Sequence, residues 1–177
     1  MSASSDLRPA ALWKHFEDIL KIPHGSGNEK ALADHVVGHA KRLGLGSKKD
    51  RTGNVVIRKP ASAGRESVAP TVLQGHLDMV CEKNSDVRHD FLKDPIQAAV
   101  RDGWVHAVGT TLGADNGIAV AACMAIMEDA SLAHGPLEFL FTVDEETGLT
   151  GARGIEPGAL KAKRLLNLDS EEEGTFT

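Results

Sequence analysis

Apolar residues recur along this chain with two periods, and the points where each period breaks off predict its elements. Leu12, Phe16, Ile19 and Leu20 follow Pro9 at helical spacing, and proline suits a first helical turn. A second run, Leu32, Val36, Ala40 and Leu43, predicts a helix capped by Asn28 and stopped by Gly44. "NVVIRK" reads as a strand and "PTVLQGHLD" as a more deeply buried one, followed by a long polar loop, "CEKNSDVRHDFLKDP". "IQAAVRDGWVHAV" predicts a hairpin turning at Asp102 and Gly103, a pair suited to positive φ. A helix ("NGIAVAACMAIMED"), a strand ("PLEFLFTVDEE") and a further strand running into acid ("KRLLNLDSEEEG") complete the pattern.

Strands alternating with helices predict one α/β domain, a layered, largely parallel or mixed sheet flanked by helices. No repeat or linker divides the chain. In open α/β sheets, ligands collect beyond the carboxyl ends of the strands. His76 and Asp78 lie at one such end, Glu145 and Glu146 at a second, and Asp169 at a third, while Asp115 precedes a helix. Four segments thus bring a histidine or carboxylates towards one edge.

Each motif has a functional and a plain structural reading. "HLD" sets a histidine and an aspartate at alternate positions, where the imidazole can bind a metal and Asp78 can orient it. The alternative is a hydrogen-bonded pair at a strand end. "GTTLGADNG" has three glycines around Asp115. It lacks the Gly-Lys-Ser/Thr ending of a phosphate-binding loop, so the glycines either turn Asp115 inward or accompany an ordinary helix cap. "DEETG" places three acids in a row, where one carboxylate can hold a metal while its neighbour takes a proton from water. The alternative is a solvated loop. In "LDSEEEG", Asp169 follows an apolar run and points to the site, whereas Glu171 to Glu173 read as a solvated patch.

Composition then narrows the chemistry. A net charge of -5 over 177 residues argues against nucleic-acid and anionic-membrane surfaces. The longest apolar stretch, Ile118 to Met127, is too short to cross a bilayer, and the first residues do not resemble a signal peptide. Two cysteines, Cys81 and Cys123, fit a reducing, cytoplasmic setting, with Cys81 read as a buried structural thiol. Histidine with carboxylates and no cysteine pair suits zinc, cobalt or manganese rather than a zinc finger. His15, His24, His35, His39, His89, His106 and His134 have no comparable acidic context along the chain and stay unassigned.

"HLDMV", "GTTLGADNG", the paired glutamates of "DEETG" and "NLDSEEEG", in this order, resemble the aminoacyl-histidine (Xaa-His) dipeptidases. These belong to the co-catalytic zinc peptidases that include aminoacylases and carnosinases. The resemblance extends from "LWKHFEDILKIPHGSGNEKALADHV" through "GNVVIRKPA" and "VRHDFLKDPIQ" to the last residues. It implies two divalent metal ions, zinc above all, and hydrolysis of dipeptides ending in histidine. Residue by residue it implies that His76 and Asp169 bind one ion, Asp115 bridges both, and Glu146 binds the other. Glu145 would be the general base and Asp78 would orient His76. It also implies a cis bond between Asp115 and Asn116. Family members run to more than twice this length, with a lid or dimerisation domain and a late histidine ligand. Residues 1–177 therefore read as the N-terminal part of the catalytic domain, with a homodimer implied for the full-length enzyme. The alternatives are an aminoacylase-like amidohydrolase and a metal-binding or assembly fragment without activity.

Overall fold

The computed structural model describes residues 7–170; Glu171 to Glu173 lie outside them. In chain order the elements are α1 (Ala10–Leu20), α2 (Lys30–Arg42), β1 (Gly46–Lys49), β2 (Val55–Lys59), β3 (Thr71–His76), β4 (Ala98–Arg101), β5 (Trp104–Ala107), α3 (Ala114–Glu128), β6 (Leu137–Thr142), α4 (Glu145–Gly148), α5 (Thr150–Arg153) and β7 (Arg164–Asn167). The main sheet runs β1-β2-β6-β3-β7, and β4 and β5 form a separate hairpin. Strands β6, β3 and β7 are parallel, whereas β1 and β2 pair antiparallel, so the sheet is mixed.

The period-2 pattern accounts for the layering, because alternate side chains leave a strand on opposite faces. Val55 and Ile57, Leu73, Phe139 and Phe141 face α1, α2 and α3, where Phe16, Ile19, Leu32, Val36, Val120 and Met124 complete the main core. Val56, Val72 and Leu140 face the other way and meet Ile155, Leu160 and Ala162. Glu138 is buried on this thinner side. Its carboxylate pairs with Arg58 at 2.9 Å and accepts the amides of Lys161 and Ala162, which ties down the segment leading into β7.

Three local expectations need correction. Glu29, not Asn28, stands at the start of α2, because Asn28 closes a turn onto the Gly25 carbonyl and Glu29 turns its carboxylate to the Gly27 amide. Strand β3 ends at His76, so Asp78 lies beyond it. Cys81 is exposed, since the chain has left the sheet and reached the surface by Val80; Cys123 is the buried thiol, and burial pushes its pKa up to about 12. The expected hairpin is present, with φ of 52° at Asp102 and 82° at Gly103.

Candidate metal centre

Strand order and register bring the acidic segments together. In β3, His76 pairs with Thr142 of β6, and Gln74 pairs with Asn167 of β7. Two residues on from Asn167, Asp169 comes level with His76. Beyond Thr142 the chain reverses at Asp144, whose φ is 52°, and α4 begins with Glu145 and Glu146. Asp115 reaches the same edge from the first turn of α3.

That turn needs Gly113. Its φ is 71°, and an added Cβ would stand 2.8 Å from Met79 Sδ. The Asp115–Asn116 peptide is cis, as the family resemblance implies. Gly117 serves another purpose: a Cβ there would press on the Phe16 ring at 3.3 Å, so it permits close packing of α1 on α3.

The buried His76 ring is the hub. Its Nε2 lies 2.9 Å from Asp115 Oδ1, 3.8 Å from Asp169 Oδ2 and 4.0 Å from Glu145 Oε2. Donor atoms of His76, Asp115 and Glu146 fall within 4.8 Å of one another, as do those of His76, Glu145 and Asp169. On the far side of the ring, Nδ1 is 3.3 Å from Asp78 Oδ1 and 3.0 Å from the Asp78 carbonyl. Asp115, Asn116, Glu145, Glu146 and Asp169 line a cleft of about 440 Å³.

Asp78 is committed elsewhere. Its carboxylate accepts the amides of Glu145 and Glu146, at 2.9 and 3.1 Å, and the Ser26 hydroxyl at 2.8 Å. Burial alone would raise its pKa. The hydrogen bond from His76 and those three donors outweigh burial and hold it well below the usual carboxylate range. Burial also disfavours a charged His76, but its bonds to Asp78 and Asp115 and the charge of Asp169 prevail, raising its pKa to about 9. Glu145, Glu146 and Asp169 are all raised, first by burial and then by one another's charges and that of Asp115. The third acid of "DEETG" separates from the pair: Asp144 accepts the hydroxyls of Thr147 and Thr150.

Three supporting residues escaped sequence reasoning. Buried Asn116 accepts the His76 amide at 3.2 Å and donates to Asp169 Oδ1 at 3.0 Å, so it locks two of the site segments together. A side chain at Gly75 would collide with it. Ser26 reaches Asp78 from the loop before α2, and Glu29 accepts the Asp144 amide at 2.9 Å. Position beside Asp115 in "GADNG" was the available signal for Asn116; Ser26 and Glu29 act across long sequence separations and carry none.

Residues 72–175 match the family model described as peptidase family M20/M25/M40. Over 174 residues the chain is 52% identical to the cytosol non-specific dipeptidase of Escherichia coli strain K12, covering 98% of this chain and 36% of that protein. It also matches the crystal structure of an aminoacylhistidine dipeptidase from Vibrio alginolyticus. The TM-score is 0.95 at 52% identity, with 98% of this chain and 35% of that one covered. A tripeptidase from Staphylococcus aureus is 25% identical, with a TM-score of 0.76 over 90% of this chain and 43% of its own. The chain thus spans about a third of the length of the first two relatives.

Proposed function

The chain belongs to peptidase family M20/M25/M40, and on that premise we propose that it carries the N-terminal share of a two-metal centre that hydrolyses dipeptides. The observation that supports this reading is the gathering of four carboxylates around the single buried imidazole of His76. Like charges so close, with the pKa values of Glu145, Glu146 and Asp169 pushed upward, are relieved by a cation. Oxygen and imidazole donors without sulfur suit zinc, and also cobalt or manganese. His76, Asp115 and Asp169 would hold one ion, and Asp115 and Glu146 the other. When bound, such ions polarise a peptide carbonyl and bring a water's pKa to about 7.

The remaining work falls to the protein's own groups. Glu145 accepts the proton of the attacking water and delivers it to the leaving amine. Its raised pKa, due first to burial and then to its acidic neighbours, favours uptake of a proton. Asp78 holds the His76 ring from the Nδ1 side so that Nε2 faces Asp115. We take dipeptides ending in histidine as the substrate class, on the 52% identity to the Vibrio alginolyticus aminoacylhistidine dipeptidase, and a cytoplasmic setting on the name of the Escherichia coli relative.

Calorimetry with zinc, cobalt or manganese tests the centre. Binding should be strongly weakened by Asp169→Asn and by Asp115→Asn. Assays of a version extended to the relatives' length, with Xaa-His and other dipeptides, test the reaction and its selectivity. A chain that binds none of these ions, or an extended version whose hydrolysis survives removal of Asp115, would overturn the reading. A second reading, metal binding without turnover by this chain alone, is favoured by one observation: among the described residues the proposed assignment gives the Asp115–Glu146 position only two protein donors.

A further inference from the structure

The histidines that sequence reading left without acidic company include two that meet an acid in space. His15 on α1 and His39 on α2 are both buried, and their rings stand edge to face with centroids 4.8 Å apart. Glu128, the last residue of α3, turns its carboxylate to both. Its Oε2 lies 3.2 Å from His15 Nε2 and 3.8 Å from His39 Nε2. Along the chain these residues are far apart, which is why no motif announces them.

His15 Nε2 is buried and makes no hydrogen bond, despite its closeness to Glu128. A buried polar atom without a hydrogen bond calls for an explanation such as an ordered water or an ion, and here the nearby donors favour the ion. Both imidazoles and one carboxylate offer a donor within 4.8 Å of one another. In a tetrahedral zinc site with bonds of about 2.0–2.1 Å, neighbouring donor atoms stand roughly 3.3 Å apart. The His15–Glu128 separation already matches, and the His39–Glu128 separation needs only a small closure. His39 Nε2 also lies 3.2 Å from the Met124 carbonyl, a bond that it would give up to an ion.

We propose that His15, His39 and Glu128 form a second metal site, of the zinc class, distinct from the cleft at the strand ends. Two histidines and one glutamate are a known zinc donor set that leaves a fourth position for water. Glu128 is partly exposed and borders an open, mainly apolar groove of about 600 Å³ that runs past Leu12, Ala122 and Ala125, so its carboxylate can be reached from solvent. An ion there clamps the three helices that cover the main face of the sheet. It binds only the folded chain and therefore raises the melting temperature by mass action.

The test separates the two sites. In an Asp115→Asn/Asp169→Asn background, which weakens the first site, zinc titration by calorimetry should still give one equivalent bound. Adding Glu128→Gln should remove that equivalent or weaken it by at least the roughly 10–100-fold seen when a ligand's supporting partner is lost. It should also cancel the zinc-dependent rise in melting temperature. Because Glu128 lies at a helix end and is partly exposed, this change spares the core. Imidazole nitrogen resonances of the unmodified chain give an independent readout, and those of His15 and His39 should move together as zinc is added. No zinc bound in the background, binding indifferent to Glu128→Gln, or His15 and His39 resonances that stay still would each overturn the proposal.

Discussion

The imidazole of His76 and the carboxylate of Asp78 stand 3.3 Å apart with neither side chain open to solvent. The same carboxylate takes the amides of Glu145 and Glu146. One buried aspartate therefore fixes the orientation of the histidine and the start of the helix that carries both glutamates. A buried ion pair seldom adds net stability, but removing one partner strands the other and is strongly destabilising. Here the pair also sets the shape of a site.

A first prediction follows from the His76 titration. Its folded pKa, about 9, exceeds the ordinary value of 6.5. A raised pKa means that the folded state holds the proton more tightly, so this stability is complete below pH 6.5 and is lost as pH rises through about 9. In that window the metal-free chain should lose stability at up to about 1.4 kcal/mol per pH unit. The raised carboxylates of Glu145, Glu146 and Asp169 tilt stability the same way at lower pH. A metal must displace the His76 proton, so zinc affinity should rise with pH up to about 9 and binding should release protons. Denaturant unfolding across this range, with calorimetry in buffers of different ionisation enthalpy, checks both. Stability that climbs between pH 6.5 and 9 in the metal-free chain would refute the assignment.

Asp78→Ala should cost about 3–5 kcal/mol, the usual result of breaking a buried pair from one side. It should also return the His76 pKa towards its ordinary value, which moves the pH window of the first prediction downward. Urea unfolding and the His76 imidazole resonances read the two effects separately.

Asn54 supports the site from further away. It is fully buried, donates to Asp50 and to the Gly151 carbonyl, and accepts the Val143 amide. It thereby braces both ends of the segment holding Glu145 and Glu146. Asn54→Ala should cost about 1–3 kcal/mol for each group left unpaired. It should also weaken metal binding, although Asn54 touches no metal-site carboxylate. Unchanged zinc affinity in a folded Asn54→Ala chain would limit its role to stability.

How far the site could be read from sequence depended on the range of each interaction. Strand β3 announces itself by an apolar run that ends at His76, and acidic residues follow within a few positions of the ends of β6 and β7, so the gathering of His76, Glu145, Glu146 and Asp169 follows from strand order. Strand β1, "GSKK", has no apolar residue and gave no period to detect; it pairs with β2 through its backbone. The strand read in "PLEFLFTVDEE" stops at Thr142, short of Glu145 and Glu146, because the chain turns there into α4, a single helical turn held by Asp78 rather than by its own propensity. Glu128 meets His15 and His39 only because three helices pack on one face. Motifs at the ends of neighbouring strands were legible; partners brought together by helix packing were not.

The two proposed metal positions should differ in strength. In the proposed assignment His76, Asp115 and Asp169 give one position three protein donors, while Asp115 and Glu146 are the two assigned to the other among the described residues. Zinc should therefore fill the first well before the second, and this chain alone should show little or no dipeptide turnover. Two equally tight equivalents at this centre, measured with Glu128→Gln in place to silence the helix site, would contradict the unequal donor sets. So would turnover matching that of a version extended to the relatives' length.

The last prediction separates two neighbours. The Glu145 and Glu146 amides each donate to one oxygen of the Asp78 carboxylate, and their own carboxylates group differently: Glu145 with His76 and Asp169, Glu146 with His76 and Asp115. Replacing either by glutamine keeps the backbone bonds and nearly the same shape, so the loss reports on the carboxylate itself. In an extended version, Glu145→Gln should keep the metal and lower kcat by roughly the 10²–10⁴-fold typical of a missing general base. Glu146→Gln should instead lower metal affinity, and its turnover should recover in part as zinc is raised. Metal content by mass spectrometry beside kcat distinguishes the two. If Glu145→Gln emptied the centre while Glu146→Gln kept its metal and lost its rate, the roles of the two glutamates would have to be exchanged.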